Sequence, residues 1–172
     1  MAVHGVGKDE LLSREHLRDT GRIDEAQETP WSGAELPDGW FLLWSNRFDD
    51  LTADRLTRLS IGGRLVGCQV HEGVMECLAV GYLDGKEVWA VSHDSDRGPL
   101  DLAIRGTPPT GFDDIRARLL EQQRLEDLGQ AAVDYVFDIP VEVARSICGY
   151  RHDRWKFDWG KPRFTELERV AP

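Results

Sequence analysis

The sequence predicts an α+β fold, in which an antiparallel β-meander sheet of about four to six strands carries helices on one face. Three observations indicate this class. Residues 64–94 resemble three strands joined by two tight turns, and residues 40–45 (WFLLWS) are a short apolar run typical of a buried strand. Residues 112–128 repeat apolar side chains near helical spacing.

The turn at Asp84-Gly85 sets the register of the second hairpin. Both central residues of a type I′ turn need positive φ, and Asp-Gly accepts this conformation cheaply while twisting the strands correctly. A two-residue loop also fixes which residues face each other. The predicted opposite pairs are Leu83 with Lys86, Tyr82 with Glu87, Val80 with Trp89, Leu78 with Val91 and Glu76 with His93.

The first hairpin is predicted from Glu72-Gly73, treated as another two-residue turn although Glu is not favoured there. This register places Gln69 opposite Glu76. The two registers together predict a cluster of four polar side chains on one face of the sheet, beside an apolar wall that includes Trp89. Its polar members are Gln69, His71, Glu76 and His93. The same register places Cys68 opposite Cys77 on the other face.

The segments before the meander predict one strand and two helices. Residues 1–30 are expected to form a polar, partly helical N-terminal extension, with one amphipathic helix at residues 8–18. Residues 31–172 are expected to form a single α+β domain. Within it, Thr52 is a plausible N-cap for a helix that ends near Leu59.

The segments after the meander predict an edge strand and two helices. Residues 100–105 precede a Gly-Thr-Pro-Pro break that cannot continue a sheet. Residues 112–128 form the clearest helix, and a strand or a helix start is expected at 132–137. Residues 138–148 form a second helix, with Pro140 in its first turn and Gly149 as its end. The tail from residue 151 is basic and aromatic, and we expect its Trp side chains to pack on the core.

Composition excludes several classes of protein. The net charge of −10 disfavours a nucleic-acid binder, which should carry a basic stripe. No apolar run approaches the ~20 residues that span a bilayer, and no signal peptide is recognisable, so we expect a cytoplasmic protein with no membrane partner. The three cysteines match no zinc spacing and are expected to be reduced, buried thiols.

Two chemical hypotheses follow from the predicted register. The Glu76/His93 pair would act as the carboxylate and imidazole of a general-base device, with Gln69, His71 and Trp89 contacting a ligand. Alternatively, His71, Glu76 and His93 would form a two-histidine, one-carboxylate metal site, with His152 as an alternative third histidine. An ordinary cross-strand ion pair at the end of the sheet is the simpler interpretation of Glu76 and His93. No phosphate-binding glycine motif is present, and no cofactor is indicated.

We therefore expect a small acidic protein-binding module, such as an inhibitor or immunity-type protein acting on a basic partner. Catalysis or ligand and metal binding at the Glu76/His93/His71 site is the alternative, and an oligomeric scaffold subunit is a second alternative. A binding module should show an acidic convex surface without a deep pocket. An enzyme should bring Glu76 and His93 together in a cavity.

Overall fold

The computed structural model describes residues 1–129 and 133–170 and confirms a mixed α+β fold with an antiparallel sheet. The strands are β1 Ala2–His4, β2 Leu17–Ile23, β3 Trp31–Glu35, β4 Trp40–Ser45, β5 Arg64–His71, β6 Glu76–Leu83, β7 Lys86–Asp94, β8 Ala103–Gly106 and β9 Thr165–Arg169. The helices are α1 Lys8–Arg14, α2 Ala53–Ser60, α3 Phe112–Gly129 and α4 Asp138–Cys148. Part of the strand or helix start expected at 132–137 lies outside the described residues.

The described strands form one nine-stranded sheet in the order β2-β9-β3-β4-β1-β5-β6-β7-β8. The prediction of four to six strands is therefore wrong. The sheet is larger because β1, β2, β3 and β9 were not predicted. Residues 1–30 were expected to be an extension, yet β1 lies in the centre of the sheet and β2 lies at its edge. The C-terminal tail likewise contributes β9, which pairs with both β2 and β3.

Helices cover both faces of the sheet, so the expectation of one covered face is also wrong. Adjacent residues of a strand point to opposite faces, and Ala2 and Val3 of β1 belong to two different apolar clusters. The Ala2 cluster includes side chains of α3 and α4, and the Val3 cluster includes side chains of α1 and α2. We call these the α4 face and the α2 face.

Local signals explain the ends of the two helices that border the site described below. Thr52 precedes α2 in an extended conformation. Pro140 lies in the first turn of α4, where its missing N–H costs nothing. Gly149 ends α4 with φ 74°, a left-handed conformation that glycine adopts without strain. Ile139 and Val143 are completely buried, which places α4 against the sheet.

The hairpin of β6 and β7 begins as predicted and then departs from the predicted register. Leu83 faces Lys86 and Tyr82 faces Glu87, around a turn in which Asp84 and Gly85 both have positive φ. A bulge then follows, and Gly81 faces Trp89. Val88 is therefore an extra residue on β7. Because side chains alternate faces along a strand, one inserted residue moves every later pair by one position.

The bulge overturns the pairings on which the catalytic hypothesis depended. His93 lies opposite Cys77, and Glu76 lies opposite Asp94. The predicted Glu76–His93, Leu78–Val91 and Val80–Trp89 pairs are therefore wrong. Trp89 lies directly beside the bulge. Its indole covers Gly81 so closely that a Cβ at residue 81 would lie 2.1 Å from Nε1 of Trp89. The bulge turns Trp89 toward the apolar cluster of the α4 face.

The hairpin of β5 and β6 has a four-residue loop rather than the two-residue turn that was predicted. His71 faces Glu76, and Met75 accommodates the longer loop with φ 52°. Cys68 therefore faces Ala79 and not Cys77. The error is two residues, an even number, so Gln69, His71 and Glu76 still share one face.

The segment between α4 and β9 packs only in part. Phe157 and Trp159 stack with ring centroids 4.8 Å apart and lie against the α4-face cluster. Trp155 was expected to pack as well, but its side chain is 83% exposed. Among the described residues, no helix is long and apolar enough to cross a bilayer.

Substitution of Gly81 tests the bulge. We predict that Gly81→Ala lowers the free energy of unfolding by about 2–4 kcal/mol, because the added methyl group displaces the Trp89 indole. Chemical denaturation followed by tryptophan fluorescence measures this change. Gly7→Ala is the matched control, because a Cβ at residue 7 has nothing within 4 Å and a helix N-cap loses at most about 1 kcal/mol. Equal stabilities of the two variants would contradict the bulged register.

Candidate functional site

A cavity lies in the middle of the sheet, where β1 ends between its two neighbouring strands. Strand β1 has three residues and pairs with β4 on one side and β5 on the other. Both neighbours continue beyond the start of β1, β4 as far as Ser45 and β5 as far as His71. A cavity of about 530 Å³ lies between these two strand ends. We call it the β4–β5 slot.

The walls of the slot are mainly apolar and come from both sides of the sheet. On the α4 face, Val141, Ala144 and Cys148 of α4 line it. On the α2 face, Phe48 and Leu51 line it, from the turn that joins β4 to α2. A volume of this size with apolar walls is typical of ligand sites in proteins.

Two polar side chains of β5 line the slot, and neither makes a hydrogen bond to a residue that the structure describes. Gln69 and His71 are two residues apart and therefore lie on the same face of the strand. The Gln69 amide makes no hydrogen bond to any residue that the structure describes. Nδ1 of His71 is buried and is likewise without a partner among those residues. The His71 ring packs edge-on against Phe48, with centroids 4.6 Å apart.

The unpaired Nδ1 of His71 is unusual, because burying a polar group without a hydrogen bond is costly, whereas the Gln69 side chain is only half-buried. A molecule bound in the slot could pair with the Gln69 amide, whereas Nδ1 of His71 is enclosed by the protein itself. These two were predicted as ligand-binding residues, and the structure places them together in the slot. Trp89, the third predicted ligand residue, is not among the lining residues, because its indole covers Gly81.

The charged side chains around the slot are already paired. Burial opposes ionisation of Asp50, but hydrogen bonds from Ser45 and Trp31 and the nearby Arg55 guanidinium outweigh this effect and lower the pKa of its carboxyl. Arg151 donates to Glu142 at 2.6 Å and to Asp138 at 2.8 Å. These groups form a fixed polar rim around the slot. Their hydrogen bonds and ion pairs within the protein leave them poorly suited to act as a catalytic acid or base.

Two cysteines line the slot, and both are protonated thiols at neutral pH. Burial raises the pKa of Cys68 to about 12 and also raises the pKa of Cys148. A nucleophilic cysteine needs the opposite shift. The third thiol, Cys77, lies outside the slot and donates to the backbone oxygen of Phe137 at 3.1 Å. All three are free cysteines.

The structure separates His93 from the other predicted site residues. Its side chain is completely buried on the α4 face, whereas Glu76 is exposed at the end of β6. His93 Nδ1 lies 2.7 Å from the backbone oxygen of Asp101. Its Nε2 lies 3.2 Å from Oδ2 of Asp134, an ion-pair contact rather than a well-aligned hydrogen bond.

Asp134 connects His93 to the start of α4. Its Oδ1 accepts hydrogen bonds from the backbone N–H groups of Val136 and Phe137, each at 3.0 Å. His93 and Asp134 thus attach two loops to β7 and form a structural link. Asp134 and Asp101 were missed as partners because they lie far from the meander in sequence. An Asp side chain often accepts a hydrogen bond from the backbone N–H two residues further along the chain, and this turn preference could have indicated the role of Asp134.

The predicted metal site does not assemble. His71 and Glu76 lie on the α2 face and His93 on the α4 face. No group of three or more His, Cys, Asp or Glu side chains in the described part of the chain is placed to hold a metal ion. His152, the alternative third histidine, lines the slot instead, and its Nε2 lies 3.7 Å from Oε1 of Glu72.

Comparison with known proteins adds no assignment. No protein-family model, no curated protein and no solved structure matches the chain. The site must therefore be interpreted from its own geometry.

Substitution of Asp134 tests the structural role of His93. We predict that Asp134→Ala destabilises the protein by about 3 kcal/mol, since it leaves two backbone N–H groups unpaired and removes the carboxylate beside Nε2 of the buried His93. Asp134→Asn should cost less, because the amide oxygen still accepts from the backbone. Asp158→Ala, at an exposed turn position, is the control and should change stability by under about 0.5 kcal/mol. Thermal and urea unfolding measure all three, and a loss below about 1 kcal/mol for Asp134→Ala would contradict the link.

Proposed function

We propose that this chain is a protein-binding module that receives side chains of its partner in the β4–β5 slot. The observation that carries the proposal is the slot itself, an apolar cavity of about 530 Å³. The ring of His71 lines it, together with the Gln69 amide, which has no hydrogen bond to a residue that the structure describes. Apolar walls supply affinity, and a few placed polar groups fix the orientation of what binds.

Binding has better support than catalysis. The candidate acid and base, Glu76 and His93, lie on opposite faces of the sheet. Burial also raises the pKa of the thiols that line the slot. The proposed mode of binding nevertheless differs from our expectation. We expected a convex acidic surface without a deep pocket, whereas the proposed site, the β4–β5 slot, is a cavity.

The charge of the chain favours one kind of partner. A net charge of −10 attracts a basic protein and accelerates its association at low ionic strength. An inhibitor or immunity-type role toward a basic partner therefore remains part of the proposal. In this form, the long-range charge brings the partner to the surface, and the slot provides the specific contact.

A random dodecapeptide library displayed on phage tests the proposal. We predict that selection against the wild-type protein yields peptides whose affinity falls at least about tenfold for Ala144→Leu, because the larger side chain fills the slot from α4. Ala117→Leu makes the same change at an exposed position of α3 and should leave the affinity unchanged. Isothermal titration calorimetry with the selected synthetic peptides measures the affinities.

Gln69→Leu is a second variant that keeps the test decisive if Ala144→Leu folds poorly. It removes the unpartnered amide with little change in size, so it should weaken the selected peptides while raising the melting temperature. Peptides that bind all four proteins equally, or a library that yields no binder, would contradict the proposal.

A further inference from the structure

The width of the β4–β5 slot matches one missing strand. Neighbouring strands of a sheet lie about 4.7–4.9 Å apart. Ala2 pairs with Leu42 on β4 and with Val66 on β5, so β1 holds these two strands about two spacings, or roughly 9.6 Å, apart. The cavity shows that β4 and β5 do not close together after β1 ends. Where β1 ends, the gap therefore begins with the width that one extended chain requires.

The backbone groups on both sides of the gap are arranged to pair with such a chain. Met1 and Leu43 exchange two backbone hydrogen bonds, of 2.8 and 2.9 Å. Because exchanged pairs recur at every second residue of an antiparallel ladder, Ser45 presents its N–H and C=O groups to the gap. On β5, the N–H and C=O groups of Val66 point toward β1, and the direction alternates along the strand. Cys68 and Val70 therefore present their N–H and C=O groups to the gap from the side opposite β4.

These backbone groups have no strand partner. On their other sides, β4 pairs with β3 and β5 pairs with β6. No backbone hydrogen bond to Ser45, Cys68 or Val70 from the side of the gap is found among residues 1–129 and 133–170. Strand edges with free N–H and C=O groups are templates for an added strand.

We propose that the β4–β5 slot binds an extended peptide segment of a partner protein as an inserted strand, antiparallel to both β4 and β5. The inference rests on the proposed binding function and adds that the bound part of the partner has the conformation of a β-strand. The segment continues the line of β1 and completes the ladder between two strands that are already in place. Hydrogen bonds on both of its edges would give more main-chain contact than addition to a single sheet edge.

The two walls of the slot also set the sequence that the segment should have. A residue opposite Cys68 shares the α4 face, where Val141 and Ala144 favour an apolar side chain. A residue opposite Gln69 shares the α2 face, where a hydroxyl or amide can pair with Gln69 or His71. The segment should therefore alternate apolar and polar residues, in the manner of a strand.

A strand supplied by the chain itself tests this inference without knowledge of the natural partner. The residues Val-Thr-Val-Thr-Val, added directly before Met1, would continue β1 into the slot with valine on the α4 face and threonine on the α2 face. We expect this extension to raise the melting temperature by at least about 4 °C. It should also block the phage-selected peptides, because it occupies their site at a high effective concentration.

Two controls use the same added length. Val-Thr-Pro-Thr-Pro places proline at the two positions whose N–H groups would pair with β5, so it removes those donors. Thr-Val-Thr-Val-Thr moves the valines to the opposite face. Neither should raise the melting temperature or block the peptides.

The outcomes separate this inference from the proposed function. If all three extensions give the same melting temperature and peptide affinity, the inserted strand is contradicted. If Ala144→Leu still weakens the selected peptides in that case, the binding function stands and the slot accepts side chains alone. If only Val-Thr-Val-Thr-Val stabilises the protein and blocks the peptides, the inserted strand is supported.

Discussion

The placement of β1 is the constraint on which the rest of the structure depends. Three residues pair with β4 on one side and β5 on the other, and they join the two halves of a nine-stranded sheet. Because alternate residues point to opposite faces, Ala2 and Val3 also link the two apolar clusters. The same strand is too short for its neighbours. It holds β4 and β5 apart and leaves the gap between their ends as a cavity rather than a packed interior.

Elements with strong local signals were predictable from the sequence. The turn at Asp84-Gly85, the apolar strand β4 and the end of α4 at Gly149 each follow from the conformational preferences of a few adjacent residues. Strands β2 and β9 were missed because their stability is not local. Arg22 of β2 pairs with Glu166 and Glu168 of β9, residues that are 144 and 146 positions away in sequence. A polar segment of this kind has no apolar alternation that would indicate a strand.

The site was predictable only in part, and the error has one cause. Gln69 and His71 lie in the slot because they alternate on β5, a property that any register preserves. The pairing of Glu76 with His93 required an uninterrupted ladder from Asp84-Gly85 outward. A bulge at Val88, beside the contact between Trp89 and Gly81, inserts one residue into that ladder and turns His93 to the other face. The signal lies on the paired strand β6, because a glycine inside a strand, such as Gly81, often marks a bulge or a close approach. The predicted pair of Glu76 and His93 is therefore absent, and His93 instead contacts Asp101 and Asp134 away from the slot.

Hydrogen exchange of the backbone amides of β5 tests the central claim, that this strand has one free edge beside the end of β1. NMR of the uniformly ¹⁵N-labelled protein resolves each amide. The account predicts slow exchange for the N–H groups of Gly67 and Gln69, which face β6, and fast exchange for those of Cys68 and Val70, which face the slot. Alternating protection along these four residues would establish the free edge. Equal, strong protection of all four would show that the slot is closed in solution and would contradict the account.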